Sequence, residues 1–598
     1  MNTAKIHLPS FLRPENFQRS WMRWAFGFFF IASLLGLLMR AFTVVEVPLV
    51  EYLYILHAHS HVALLGWGFM MLIGGIAFSL YNREEQVKVF GWLFILAIIS
   101  VLGMLFSFPV QGYGAVSIGF STLHIFVSYG FAYKILLRIH QLEKTTGTKL
   151  IRLAIIFMLI STVGLWALGP IISQLGRMHE LYFMSIQWFL HFQLNGWFVL
   201  GVLGLVVLYY ESQGHTLQLP EWKLYLLALS VVLTYALAVT WAEPSVWAFQ
   251  VNGVAVILQL LAYSWFVLPL FKLLDKLILS LAGSWLLRAA LTSLVLKGLL
   301  QALLVLPQIA VMSYTIRMYV IGFLHLVLLG IMSLGLGSLA VAKGWIPDTR
   351  LTRAGWLSLF AGFVLSEGLL FLQGTLIWGK LGFLAQYYLW LFLASILFPI
   401  GLALLLISLF TSSQIQSINF KTNQLTRTKT QTMKKSLVLS MGILGILMTS
   451  CGGGSSSDSS NSAADQSAVE EVKPADPRGI GEIRDVDLGA GVDPALAESG
   501  LAIVDMKCTA CHQLNDKRLV GPGFQGVTNR RTPEWIMNMI TNVDVMLDQD
   551  PEAQKLLEEC LTRMPNQNIT IADARGILEF LRQNDEAKAG KRDEAALN

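Results

Sequence analysis

The chain has 598 residues, of which 55% are hydrophobic and 14% charged, with a formal net charge of +5. Soluble domains carry roughly 25% charged residues, so this composition excludes an ordinary soluble protein and points to lipid as the surroundings of much of the chain. The positive balance is no nucleic-acid footprint, because Lys and Arg lie between hydrophobic segments without an aromatic-interleaved patch, and no nucleic-acid partner is expected.

Apolar residues fill the chain to about Phe410 and then give way to Ser, Asp, Glu and Lys. Runs long enough to cross a bilayer, about 20 residues, fall at Trp24–Val45, Leu56–Leu80, Val89–Phe108, Gly114–Leu137, Leu153–Ile172 and Leu181–Tyr209. Six more come after them, at Trp222–Val239, Val246–Leu270, Leu281–Leu304, Tyr319–Ala342, Gly355–Leu376 and Phe383–Phe410. The predicted fold class is therefore all-α, with a polytopic bundle of twelve transmembrane helices over residues 1–415. The loops alternate in charge: Arg13, Arg19 and Arg23 precede the first helix, Arg138, Lys144, Lys149 and Arg152 follow the fourth, and Lys343, Arg350 and Arg353 follow the tenth. The positive-inside rule makes the N-terminus and the segment with Lys421, Arg427 and Lys429 cytoplasmic, so even-numbered helices start outside.

His57, His59 and His61 open the second helix, and His124, His191 and His325 lie in the fourth, sixth and tenth. At 1.5 Å of rise per residue all fall within about 15 Å of the outer surface. An imidazole among lipid tails is costly unless paired or ligated. Each one alone is also explained by a hydrogen bond across helices; the set at one depth suggests a metal or haem centre. His57 and His61 share a helix face and His59 points elsewhere, which favours His61, with His57 second. Arg40, Arg177 and Arg317 fall near the same surface, where they would hold haem propionates or anchor the interface. Lys297 in the ninth helix and Glu367 in the eleventh are the other costly groups; pairing, a proton path or quinol binding would each account for them.

Twelve helices with histidines at the outer ends of the second, sixth and tenth resemble the catalytic subunit of haem–copper oxidases and nitric oxide reductases, over roughly residues 20–410. The resemblance implies a low-spin b-type haem held by His61 (or His57) and His325, with His191 in the place of a copper ligand. The family also has a His-His pair in the seventh helix and a second histidine in the tenth, and this sequence has neither. Copper is therefore not expected. His124 is an additional ligand candidate outside the family pattern.

Residues 416–450 read as a cytoplasmic linker and a signal-like or membrane-crossing segment. Met433-Lys434-Lys435, the apolar run Leu437–Met448 and Thr449-Ser450-Cys451 resemble a lipoprotein signal with Cys451 as the lipidated residue. Cleavage before Cys451, a thirteenth crossing, or two reading frames joined at Met433 all fit, and each of the first two exports the C-terminal part of the chain. Residues 451–491 are rich in Gly, Ser, Ala, Asp and Glu and read as a flexible tether.

Cys508-Thr509-Ala510-Cys511-His512 is the C-x-x-C-H pattern of covalent haem c attachment: two thiols a helical turn apart reach two vinyl groups, and the next residue offers imidazole to the iron. Residues 492–584 around it resemble small class I cytochromes c, with a polar tail over 585–598. That resemblance implies Met564, followed by Pro565, as the second iron ligand; Met537, Met539 and Met546 compete, the first two on a predicted amphipathic helix, Pro533–Asn542, where methionine fills core. Cys560 has no assigned role. The segments Glu534–Ile540 and Arg563–Gln567 are similar to lipoprotein cytochromes that serve respiratory reductases, including nitrous oxide reductase.

The expectation is an electron-transfer protein of the bacterial inner membrane, passing electrons between a quinol-linked membrane haem and a periplasmic haem c that serves a terminal reductase. Alternatives are a divergent oxygen or nitric oxide reductase fed by its own cytochrome, and a transporter or sensor joined to a cytochrome.

Overall fold

The computed structural model describes residues 9–45, 47, 50–175, 179–242, 246–379, 381–382, 384–411, 476–509, 511–518, 521–560, 564, 567 and 569–597. Arg177, Cys451, Met433 and the signal-like segment lie outside them. Among the described residues the chain is all-α, without a β-strand. Among the described residues twelve helices are long and apolar enough to cross a membrane: α1 Pro14–Ala41, α2 Tyr54–Leu80, α3 Arg83–Gln111, α4 Ala115–Gln141, α5 Thr146–Leu175, α6 Glu180–Glu211, α7 Glu221–Thr240, α8 Val246–Lys276, α9 Leu281–Leu303, α10 Arg317–Ala342, α11 Arg350–Trp378 and α12 Tyr387–Thr411. The two that carry most of the interior are α2 and α6, whose central windows are 78% and 94% buried against 33% for α1.

Helix α1 starts earlier than its hydrophobic run, because Pro14 at its first position sets the helical φ. Arg19 and Arg23 therefore lie inside it and not in the preceding loop. Arg19 donates from Nε and Nη2 to the carbonyl of Leu409 (3.3 and 3.1 Å), and the Arg23 guanidinium stacks over Phe410 at 4.5 Å. Cations on the last carbonyls of a helix are favourable, and here they join the start of α1 to the end of α12. The same end of the bundle carries Arg138, donating to Leu80 O (3.1 Å), and Lys149, paired with Glu221 (2.8 Å).

Three helices change pitch at matching places. In α2, α6 and α10 a π-helical stretch begins directly after His61, His191 and His325, at Val62–Phe69, Phe192–Phe198 and Leu326–Ser333. Each stretch holds a glycine five residues beyond its histidine, where a Cβ would come within 2.9 Å of Phe28 (Gly66), 2.5 Å of Phe157 (Gly196) and 2.8 Å of Phe363 (Gly330). The three stretches meet at the bundle axis: Trp67 Nε1–H donates to Ser333 Oγ (2.9 Å), and a Cβ on Gly68 would touch both Phe198 and Met332. π-Turns of this kind cluster at functional sites.

The second folded part consists of α13 Pro494–Ile503, α14 Pro533–Thr541, α15 Val543–Gln549, α16 Pro551–Cys560 and α17 Ile571–Ala589. Helices α13 and α17 cross so closely that a Cβ on Gly500 would overlap the carbonyl oxygen of Gly576. Two boundaries differ from the sequence reading. Residues 476–491, expected in the tether, pack on this domain: Ile483 is buried and its N–H and carbonyl are both bonded to the Asn538 side chain (3.2 and 2.9 Å). Low apolar content concealed this, since a single buried asparagine supplies what a hydrophobic run otherwise would. The expected polar tail is also folded in, because fully buried Asp585 accepts from Gly526 N, Thr528 N and Thr528 Oγ1 (2.6, 2.8 and 2.7 Å), and Asp593 pairs with Arg582 (2.9 Å).

Glu579, fully buried, joins this network through Arg582 Nη1 (2.8 Å), Arg575 and the N–H of Asp493 (2.8 Å). Burial alone would raise its carboxyl, but the donors from Arg575, Asp493 and Arg582 outweigh that and hold it below the usual carboxylate range. Its stabilisation is therefore complete above the unfolded value of about 4.3 and is lost as pH falls through the lower folded value. Thermal melting of the full chain followed by circular dichroism should show the C-terminal domain weakening below about pH 4, and Glu579→Gln should flatten that dependence while costing roughly 3 kcal/mol at neutral pH.

Candidate functional site

Helix α13 runs into a π-helical turn, Val504–Cys508, that delivers Cys508, and one turn later Cys511 and His512. These three line an apolar pocket with Phe524, Met539 and Met564. The His512 ring stacks on Phe524 (4.6 Å, 6°), and its Nδ1–H donates to the carbonyl of Pro522 (2.8 Å). Gly521 lets the backbone close over the ring, for a Cβ there would overlap His512 Cε1. With Nδ1 committed, Nε2 is the nitrogen left to a ligand, the arrangement in which a metal-binding imidazole is fixed by its second nitrogen. Burial lowers the His512 pKa, keeping the ring neutral with that lone pair available, and pushes the Cys508 and Cys511 thiols up to about 12.

Residues 497–585 match the cytochrome c family. This part of the chain is a cytochrome c domain. Among solved structures it is similar to a cytochrome c from Rhodothermus marinus at 39% identity, covering 19% of this chain and 96% of that one with a TM-score of 0.18. An engineered cytochrome c from the same organism, Rma TDE, is 38% identical, with 19% and 99% covered and a TM-score of 0.18. No curated protein matches the chain.

The cytochrome c domain implies covalent haem c, and the donor set fits it: two thiols a turn apart, one neutral imidazole with a committed Nδ1, and thioether sulfurs in the same apolar pocket. Cys508 and Cys511 would carry the covalent links, and His512 and Met564 the iron. When bound, the haem supplies a one-electron iron couple, whose potential thioether ligation raises relative to two imidazoles. Met537 is buried in the core and Met546 Sδ accepts from Ile480 N (3.0 Å), so neither offers itself; Met539, which the sequence pattern places in the core, lines the pocket beside Met564.

In the bundle the histidines fall into separate groups. His57 and His61 face Phe108 and Tyr113 on one side of α2, with His61 Nδ1–H donating to His57 O (2.8 Å). His59 lies on the other side, over Gly36, with Nδ1–H donating to Ala32 O (2.8 Å) and His325 and Arg40 within electrostatic reach. His325 Nδ1 meets Glu367 Oε1 at 3.2 Å, and Glu367 Oε2 is buried with no partner among the described residues. Of the three helix-2 histidines, His59 is the one with His325 within electrostatic reach. His124 Nδ1 is 3.0 Å from Ser100 Oγ, whose proton goes to Ala97 O (2.8 Å), which leaves buried Nε2 without a partner. His191 Nε2 is engaged by Val231 O (2.8 Å).

Lys297 and Glu367 do not pair. Fully buried Lys297 donates to Gln301 one turn on (2.7 Å), between the rings of Tyr263 and Phe323. Arg317, read as a propionate or interface residue, pairs with Asp505 of the cytochrome domain. Among the described residues no group of three or more His, Cys, Asp or Glu is arranged to hold a bare metal ion.

On a denaturing gel stained for haem, Cys508→Ser with Cys511→Ser should lose all covalent haem. Met564→Leu should keep the stain but lose the sulfur-to-iron charge-transfer band of the oxidised protein, whereas Met539→Leu should keep both; the reverse pattern would move the ligand to Met539.

Proposed function

We propose that the chain is an electron-transfer protein of the bacterial inner membrane, in which haem c exchanges electrons with a b-type haem held between His59 and His325 of the bundle. The observation that carries this reading is the seating of the haem c pocket on the bundle. Ile377 at the end of α11 and Gly382 in the loop after it line the same pocket as Cys508 and Cys511, and Cys511 packs in an apolar cluster with Tyr387, Tyr388 and Ile316. A haem held by Cys508, Cys511 and His512 would supply a one-electron couple beside the bundle residues Ile377, Gly382 and Tyr387. The bundle ends that meet the cytochrome lie opposite the Arg- and Lys-rich end, and the positive-inside rule, which makes that basic end cytoplasmic, gives the cytochrome the periplasmic side.

The hydrogen bonds of His59 and His325 support them as the residues that would hold a haem iron. Both commit Nδ1–H to an oxygen and leave Nε2 to an iron, with Arg40 within reach as a counter-charge for propionates. His191 fits a copper role poorly, its Nε2 being taken by a carbonyl, so the reading remains electron relay and not reduction of oxygen or nitric oxide. Quinol on the membrane side and a periplasmic terminal reductase such as nitrous oxide reductase complete the path, and lipidation of Cys451 would keep the cytochrome at the membrane if the chain is cut there.

Pyridine haemochrome spectra of the detergent-purified full chain test this. Haem b should accompany haem c in the wild type, fall to near zero in His59→Ala and His325→Ala, and persist in His61→Ala. Haem c alone in every variant would overturn the membrane centre, and loss in His61→Ala alone would return the ligand to the other face of α2.

A further inference from the structure

Among the described residues two polar contacts between the bundle and the cytochrome flank the haem pocket. On the proximal side Arg317, at the first position of α10, pairs with Asp505, three residues before Cys508 and inside the π-turn that presents it. On the opposite side Tyr388 Oη, in the first turn of α12, donates to Gln567 Oε1 (3.1 Å), three residues after Met564. The Gln567 carbonyl accepts from Lys507 Nζ (2.9 Å), so the Met564 segment is held by one bond from within the cytochrome and one from the membrane helix. Gln567 itself lines the pocket, beside Ile377 and Gly382 of the bundle.

We infer that the membrane bundle is a structural wall of the haem c site, with Tyr388 a positioning residue that holds the Met564 segment through Gln567 and the Arg317–Asp505 pair the contact that seats it. Docking and sulfur ligation are then one linked equilibrium: whatever favours the seated domain favours Met564 at the iron, and the reverse holds to the same degree. Removing the hydroxyl of Tyr388 leaves the apolar contact of its ring but frees Gln567, and a net neutral hydrogen bond corresponds to about a threefold to tenfold change in such an equilibrium. The Arg317–Asp505 pair is partly exposed, at 23% and 46%, so its contribution weakens as salt rises.

This inference rests on Met564 being the sulfur ligand. The experiment uses the full chain in detergent and reads two quantities: the redox equilibrium of haem c, and the intensity of the sulfur-to-iron charge-transfer band. Tyr388→Phe and Gln567→Leu should each shift the redox equilibrium about threefold to tenfold toward the oxidised form and weaken the band, and the double variant should add little to either. Arg317→Glu should do likewise, Arg317→Glu with Asp505→Arg should restore it, and high salt should mimic the single change. A band that is present in the wild type, lost in Met564→Leu and unchanged in Tyr388→Phe and Arg317→Glu overturns the positioning role while leaving the ligand in place. A band indifferent to Met564→Leu overturns both.

Discussion

An imidazole placed in hydrocarbon has to hydrogen-bond through one of its nitrogens, and the nitrogen it commits decides what the other is left to do. In this chain His59, His61, His124 and His325 all commit Nδ1, to a carbonyl, a hydroxyl or a carboxylate. His512 in the water-facing domain does the same with Pro522. One local solution therefore serves two environments, and the remainder of the architecture depends on it. The helices packed against these rings bring an oxygen to Nδ1, as α1 does with Ala32, α3 with Ser100 and α11 with Glu367, whereas His61 finds its oxygen on its own helix.

The π-helical stretches fit the same requirement. A helix that widens directly after its histidine changes the phase of every later residue, so the first third, up to the histidine, and the later two thirds of α2, α6 and α10 can each face their own neighbours. The glycines five residues on admit aromatic rings against the backbone, and the three widened segments close the axis of the bundle with a single polar contact, Trp67 to Ser333. Below this level the interior of α2 and α6 is nearly continuous hydrocarbon.

Twelve spans were legible because a bilayer imposes one length and one composition on whatever crosses it, and both are linear properties of sequence. The C-x-x-C-H pattern was legible for a similar reason, its geometry being local. The features that were not legible depended on neighbours. A helical wheel separates His59 from His57 and His61 but cannot say which face meets α10, and the family resemblance paired His325 with His61 or His57, whereas His59 is the one within its electrostatic reach. Arg19 and Arg23 looked like loop residues because hydropathy alone does not register Pro14 as the start of α1. Residues 476–491 looked like tether because their place in the fold depends on Asn538 and Ile483, more than fifty residues apart. A usable signal was present all the same: His61, His191 and His325 each stand five residues before a glycine in an apolar run, a spacing shared by three helices that are not adjacent in sequence.

The bond between Arg19 and Leu409 spans 390 residues. A chain made from its N-terminus leaves the start of α1 without this partner until α12 has been made, so this contact forms only once the twelfth span among the described residues is in place. Non-local closure of that kind is slow and entropically expensive. It also sets an order of construction: the cytochrome domain, encoded after α12, emerges once both helices that make the closure are already present, and of the helix ends it rests on, the start of α2 is made early while α10, α11 and α12 are the last spans among the described residues. Assembly of the membrane part and completion of the haem c pocket are thus consecutive steps of one process, with the latest helices of the first serving as the floor of the second.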